Sequence, residues 1–334
     1  MKTTTIALIG CGYWGPNLLR NFSSLPHCRV KYVVDANPQR RAFVQAHYPQ
    51  TAATESAKTA LSDCEVTAVI IATPARTHYG FAKACLLAGK HVLVEKPLAT
   101  TVAEVDDLAM HAAQRKLVVM AGHTFIYNAA VRYVKTLINA GELGDIRYIY
   151  SQRLNLGRIR SDVDALWNFA PHDVSIIQYW LDHREPLSVH RLGMDYVQAG
   201  IDDVVFLHIT YPGQVMAHIH VSWLDPHKVR KMVVVGSRKM VVYDDVADDK
   251  IAIYDKGIDK KAIVGEGMDF DKSQLVQFNY RSGDILLPQL KLTEPLRAEA
   301  EHFLDCVQNG GKSETGLSHA RSVISILERA EPLS

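Results

Sequence analysis

At 334 residues the chain is long enough for two domains with separate cores, and 37 basic against 36 acidic side chains leave a formal charge of +1. That balance excludes the electropositive field that gathers nucleic acid and the composition of an acidic tail. Five scattered cysteines without C-x-x-C spacing exclude a disulfide framework, and no apolar run approaches a membrane span, so a cytoplasmic protein without membrane or nucleic-acid partners is expected.

The first predicted strand, 5–9, runs into Gly10-Cys11-Gly12-Tyr13-Trp14-Gly15 and then a helix over 16–22. This is the strand, G-x-G-x-x-G, helix order of a dinucleotide fold. Gly10 permits the tight turn, Gly12 lets the backbone approach a pyrophosphate, and Gly15 lets helix and strand pack closely. The second strand, 30–34, ends on Asp35, about 20 residues past Gly15, where a carboxylate accepts from ribose hydroxyls and repels a 2′-phosphate. NAD is therefore expected rather than NADP. A plain tight turn followed by a capping Asp would need neither the strand nor this spacing. Cys11, inside the turn, reads as a small space-filler.

A strand at 68–72 leads into Thr73-Pro74, read as N-cap and first helical position, with His78 four residues on and a helix over 77–87. The next strand, 91–95, ends on Glu95-Lys96-Pro97, so two strand ends lie side by side at the edge where doubly wound sheets bind ligands. A helix over 102–114 and a strand over 117–121 complete a βα alternation that specifies a parallel sheet covered on both faces. After Gly122 the texture changes. Helices at 129–140 and 171–182 and strands at 145–154, 187–197, 202–211, 214–223, 230–236, 239–244 and 250–254 predict an antiparallel sheet, with hairpin turns at 211–214 and 236–239. The polar stretch 255–275 reads as a loop or hairpin edge, and 294–308 and 317–330 as closing helices whose apolar spacing marks core. The fold class is α/β: an N-terminal Rossmann dinucleotide-binding domain over 1–122 and a C-terminal α+β domain over 123–334 built on an open, mostly antiparallel sheet.

The turn Gly10 to Asn17, the T-P-x-x-x-H of Thr73 to His78, Glu95-Lys96-Pro97 and the closing Leu327-Glu328 together resemble the glucose-fructose oxidoreductase/inositol dehydrogenase/MocA family of NAD(P)-dependent oxidoreductases, along the whole chain. The stretches Gly122 to Asn128, Pro171-His172-Asp173 and Ser222 to Pro226 resemble its branch acting on nucleotide-activated sugars. The resemblance implies a hydride transfer from a secondary hydroxyl, with C3 as the expected position, of a hexose such as UDP-N-acetylglucosamine. Inositol or free-sugar dehydrogenase, ketosugar reductase, and an NAD-binding regulator without turnover stand as alternatives.

The expected cofactor site comprises Gly10, Gly12, Tyr13, Trp14, Gly15, Asp35, Arg40, Thr73, Pro74, His78, Glu95 and Lys96. Lys96 and His172 are the expected catalytic pair: the lysine hydrogen-bonds the reacting oxygen and the histidine, neutral near pH 7, accepts the alcohol proton. Related dehydrogenases carry Asp and His four residues apart, which maps onto Asn168 and His172; an amide here can hydrogen-bond but cannot stabilise an imidazolium by charge. Substrate contacts are expected from Tyr127, Asn128, Arg153, Asn155, Arg158, Asn168 and His172, with the arginines suited to a diphosphate. His208, His218 and His220 fall on one face of a hairpin, and no metal is expected there. Apolar residues on both faces of the second sheet, Phe206, Ile219, Val221 and Trp223 among them, predict a homodimer or homotetramer.

Overall fold

A computed structural model describes residues 3–262 and 276–330. The first sheet has six strands, β1 (Thr4–Ile9), β2 (Cys28–Val34), β3 (Ala52–Thr54), β4 (Ala68–Ile71), β5 (His91–Glu95) and β6 (Val119–Gly122), in the order β3-β2-β1-β4-β5-β6. Every neighbouring pair is parallel. All four residues of β4 are buried, the continuous apolar reading of a strand covered on both faces. Helices α1 (Gly15–Ser23), α2 (Pro38–His47), α3 (Ala57–Ser62), α4 (His78–Leu87) and α5 (Val102–Arg115) follow the strands. Asn37 caps α2 by accepting from Gln39 N, and Thr101 caps α5 by accepting from Glu104 N. The strand order reverses between β1 and β4, so the glycine turn and Thr73 flank the switch point.

The second sheet has eight strands: β7 (Ile146–Leu156), β8 (Ser188–Met194), β9 (Val204–Tyr211), β10 (Val215–Ser222), β11 (Leu224–Gly236), β12 (Met240–Asp244), β13 (Ile251–Ala262) and β14 (Val276–Leu286). Their order is β14-β13-β12-β11-β7-β10-β9-β8, antiparallel throughout except for β7 beside β10. One face is core: Val205, Leu207 and Ile209 on β9 and Ala217, Ile219 and Val221 on β10 are fully buried. Burying each of the Val, Leu and Ile side chains among them contributes about 1.5–3 kcal/mol. The alternate residues Phe206, His208, Met216, His218 and His220 face outward, half-buried or exposed.

The remaining helices are α6 (Ala129–Asn139), α7 (Ala165–Trp180), α8 (Pro295–Asn309) and α9 (Leu317–Arg329). Contacts divide the chain into two units. One contains the first sheet up to Ala129, then Leu166–Arg184, then the segment from Leu292 onward; the other contains Ala130–Ala165 and Glu185–Lys291. A single cut at 122/123 matches the end of the first sheet, but α7, α8 and α9 return to that sheet's unit. His172, expected from the second domain, therefore belongs to the same unit as Lys96.

Local differences have local causes. Thr73 does not cap a helix: its hydroxyl accepts from Thr77, a 3-10 turn occupies Ala75–Thr77, and α4 starts at His78. Helix α7 starts six residues before Pro171 and carries the proline inside, where it removes one helical N–H; the buried apolar residues Leu166, Ala170, Val174 and Ile177 hold the helix together across it. β3, three residues long, was too short for a strand pattern. Of the stretch read as a loop or hairpin edge, 255–262 is the later part of β13, paired antiparallel with β14, and 263–275 lies outside the described residues.

Candidate active site

The glycine turn fits a dinucleotide phosphate by its shape. Gly10 has φ +95°, and a Cβ there would lie 2.7 Å from the Ala72 carbonyl carbon; a Cβ on Gly15 would strike the Gly10 carbonyl, while one on Gly12 would meet nothing within 4 Å. The first and third glycines let β1, β4 and α1 close together, and the second leaves its backbone uncovered. Asp35 stands at the end of β2, with Oδ2 accepting from Cys11 N at 2.7 Å and Oδ1 from Asn37 N at 2.8 Å. Two of the roughly four lone-pair directions of the carboxylate are thus used, and the rest suit ribose hydroxyls. Arg41 is spent on the carbonyls of Asp35 and Ala36, whereas Arg40 is exposed. Burial and the Asp35 charge push the Cys11 thiol up to about 11, so it is inert.

Tyr13 and Trp14 are exposed on the same turn, and the Trp14 side chain favours the charged form of Glu95. Glu95 accepts from the backbone N–H of Lys96 at 3.2 Å and packs against Gly122, where a Cβ would come within 3.2 Å of its carboxyl. Burial pushes its pKa up to about 7, against the pull of Lys96, that N–H and Trp14. Lys96 itself reaches α7: Nζ donates to the carbonyl oxygen of Asn168 at 2.8 Å. Asn168 and His172 lie on one continuous helix and hence on one face, with the half-buried His172 ring edge-to-face on Phe125 at 5.0 Å. The E-K-P strand end, Phe125 and the α7 residues thus form one constellation within the first unit.

His78 does not offer itself to a ligand. It is buried, with Nδ1 2.7 Å from the Pro97 carbonyl oxygen and Nε2 2.7 Å from that of Thr73, so it ties the two strand-end turns together. Thr73 is half-buried and Pro74 exposed beside it. Tyr127 corrects an expectation: it is 2% exposed and its hydroxyl meets Thr315 Oγ1 at 3.2 Å, inside the unit rather than toward a substrate. Asn128, next in the chain, is half-buried. Arg153, 6% exposed, points into the buried face of the second sheet, a second correction. Asn155, next to the last residue of β7, is half-buried, and Arg158, just past the strand, is exposed.

Two residues escaped sequence reasoning. His123 is buried and pushed down to about 3 by burial and by the charge of Lys96. Glu299 on α8 is fully buried, accepts from Thr124 Oγ1 at 2.9 Å, and is held well above the usual carboxylate range by burial and by Glu95. A signal for Glu299 existed: it interrupts the apolar series Leu296, Ala300, Phe303 at core spacing. On the second sheet His208 and His218 pair directly, rings 4.5 Å apart, and Phe206 stacks on His220 at 4.2 Å. Among the described residues no group of three or more His, Cys, Asp or Glu is arranged to hold a metal ion, and no helix is long and apolar enough to cross a membrane.

Two family models match: an oxidoreductase family with an NAD-binding Rossmann fold over residues 4–123, and the GFO/IDH/MocA C-terminal domain over 131–242. A 4-carboxy-2-hydroxymuconate-6-semialdehyde dehydrogenase of a Sphingobium strain is 33% identical over 182 residues, 52% of this chain and 58% of that protein. The UDP-N-acetylglucosamine 3-dehydrogenase of Acidithiobacillus ferrooxidans is 32% identical over 188 residues, 56% of this chain and 57% of its own length. A crystal form of that enzyme superposes with TM-score 0.81 at 25% identity, covering 99% of this chain and 97% of the other. GenD2 from gentamicin A biosynthesis, solved with NAD, gives TM-score 0.81 at 22% identity, covering 99% and 93%, a likeness of fold. The sequence matches span somewhat over half the length of these two curated relatives.

Proposed function

Since the chain belongs to the GFO/IDH/MocA family of oxidoreductases and carries its NAD-binding Rossmann domain, we propose that it oxidises a secondary hydroxyl of a sugar with NAD, at C3 of a nucleotide-linked hexose such as UDP-N-acetylglucosamine. One observation carries the reading: Lys96, delivered by the end of β5, is anchored on the helix that bears Asn168 and His172. Bound NAD supplies the hydride acceptor. The protein's part is to hold the sugar hydroxyl and receive its proton. The ammonium of Lys96 orients the reacting oxygen, one of its three N–H bonds being fixed on the Asn168 carbonyl. His172, its ring packed on Phe125, takes the hydroxyl proton. Because Lys96 is held by the Asn168 backbone, replacing the usual carboxylate by an amide leaves that anchor intact and changes only what the side chain offers. Asp35, with its carboxylate already ordered by Cys11 and Asn37, selects NAD.

Asn155 and Arg158 are the candidates for binding the substrate's polar groups, and a cytoplasmic homodimer or homotetramer built through the outward face of the second sheet is the proposed assembly. The test is a scan of nucleotide sugars, inositols and free sugars with NAD, followed by NADH absorbance. Turnover on UDP-N-acetylglucosamine supports the reading. Turnover confined to inositols replaces the substrate; NAD binding without any turnover makes the chain a regulator.

A further inference from the structure

Directly after β6, Thr124–Tyr127 forms a single 3-10 turn whose two ends are tied to the C-terminal part of the chain. Thr124 Oγ1 donates to Glu299 Oε2 on α8 at 2.9 Å; the Tyr127 hydroxyl meets Thr315 Oγ1 at 3.2 Å, and its ring lies 5.6 Å from that of His302, also on α8. A 3-10 helix has three residues per turn, so residues 124 and 127 stand on one side and residue 125 about 120° away. Phe125 accordingly faces another element: its ring meets that of His172 on α7 edge-to-face, with centroids 5.0 Å apart. At this point α7 lacks the hydrogen bond that Pro171 cannot donate, so the helix backbone holds the next residue, His172, less firmly than an unbroken helix would.

Glu299 is an unfavourable residue for its place. It is fully buried on α8 between the buried apolar residues Leu296, Ala300 and Phe303, and its Oε1 has no hydrogen-bond partner. An apolar side chain of the same size would fill the space without burying an unmatched oxygen. What the carboxyl does provide is the acceptor for Thr124. We propose that Glu299 is a positioning residue for His172: by fixing Thr124 it sets the turn that holds Phe125 against the His172 ring, and so limits the directions from which that ring can take the hydroxyl proton. The second tie, Tyr127 to Thr315, keeps the far end of the turn in place, so loss of Glu299 leaves the turn hinged rather than free. The proposal rests on the role given to His172 above.

The experiment uses the full chain. In histidine-labelled protein without substrate, the His172 ring signals, assigned by their loss in His172→Ala, are expected to move in Glu299→Leu and in Thr124→Val toward their position in Phe125→Leu. They should stay at the parental position in Glu299→Gln, whose amide oxygen still accepts from Thr124. With the sugar that the parent turns over, Glu299→Leu is expected to lower kcat by about tenfold with KM changed less than about twofold, since misorientation of the base is felt in turnover rather than in binding. Glu299→Gln should stay near the parent. A melting temperature that falls in Glu299→Leu while the His172 signals stay parental assigns the carboxyl a packing role and overturns the proposal. Equal losses in Glu299→Gln and Glu299→Leu overturn it too, because the bond to Thr124 is then not what matters. Should Glu299→Leu fail to fold, Thr124→Val, which removes the donor at nearly constant volume, decides by the same signals. Absence of turnover on every sugar bears on the proposed function, and the substrate-free histidine signals still judge the positioning role.

Discussion

In the first unit His78, His123 and His319 are enclosed at 1–2% exposure, whereas in the second His190, His208 and His218 form a row across the outward face of β8, β9 and β10. The difference follows from how each sheet is covered. Behind the helices that cover a parallel sheet a buried ring meets protein rather than solvent: His78 has two carbonyls, and His319 Nε2 has Ser175 Oγ at 2.8 Å on the helix that carries His172. An antiparallel sheet with one open face lets imidazoles stack on each other and on Phe206 while still meeting solvent. The same residue type is thus coupled to the fold in one unit and to the surroundings in the other.

The sharpest way to test the chemical role of the first unit is at its two reactive side chains. Lys96→Met is expected to lower kcat on the true substrate by about 10³-fold and His172→Ala by about 10²-fold or more, with NAD affinity, read by fluorescence titration, changed less than about threefold. Near-parental turnover in either would remove that residue from the mechanism. Asp35→Ser comes next: loss of a charge opposed to a 2′-phosphate should narrow the preference for NAD over NADP by about 2–3 kcal/mol, measured as the ratio of the two dissociation constants.

Acid distinguishes the units through stability. His123 titrates at about 3 in the folded chain and near 6.5 when unfolded, so below pH 6.5 the unfolded state binds the extra proton and stability is lost as pH falls toward 3. At pH 5 this group alone should cost about 2 kcal/mol, with His319, also pushed down by burial, adding in the same direction. Hydrogen-exchange protection factors of β5 and β6 amides, which correct each rate for the intrinsic slowing of exchange in acid, should fall between pH 7 and 5 more than those of β9 and β10; equal changes would erase the contrast. For the open face, Phe206→Glu should convert the assembled protein to monomer in light scattering at micromolar concentration, and a parent that is already monomeric refutes the proposed assembly. The smallest effect is expected from Asn168→Asp, which should preserve or raise turnover by a few-fold, because the backbone contact to Lys96 is untouched while His172 gains a neighbouring charge.

How much of this was legible depended on whether the determinant is local. The glycine turn, Asp35 and Glu95-Lys96-Pro97 are backbone requirements written in a few consecutive residues, and the strands around them appear where apolar runs predict. The alternation of β9 and β10 likewise put His208, His218 and His220 on one face, whereas the register that sets His208 opposite His218 depends on the turn between the strands and is read from the structure. What escaped depends on distant partners. Pro171 reads as a helix start because a proline normally ends the helix before it, yet the buried face on either side carries α7 through. Tyr127 and Arg153 were read as outward-reaching polar residues; Thr315, far along the chain, and the burial of one face of β7 turned them inward. Nothing near Leu166–Arg184 in sequence announces that the segment joins the first sheet's unit.

The edge of that sheet has a consequence for how the chain is made. Met120 on β6 pairs with Gly316, and Ala121 N donates to the Thr315 carbonyl, so the strand next to the E-K-P turn is completed by residues synthesised about 200 positions later. At about 5–20 residues per second, a ribosome would leave the β6 edge without this partner for roughly ten to forty seconds. During that interval the nascent chain carries an open parallel edge, the kind of template on which chains join one another, and a chaperone holding the segment after Gly122 would guard it until α9 arrives.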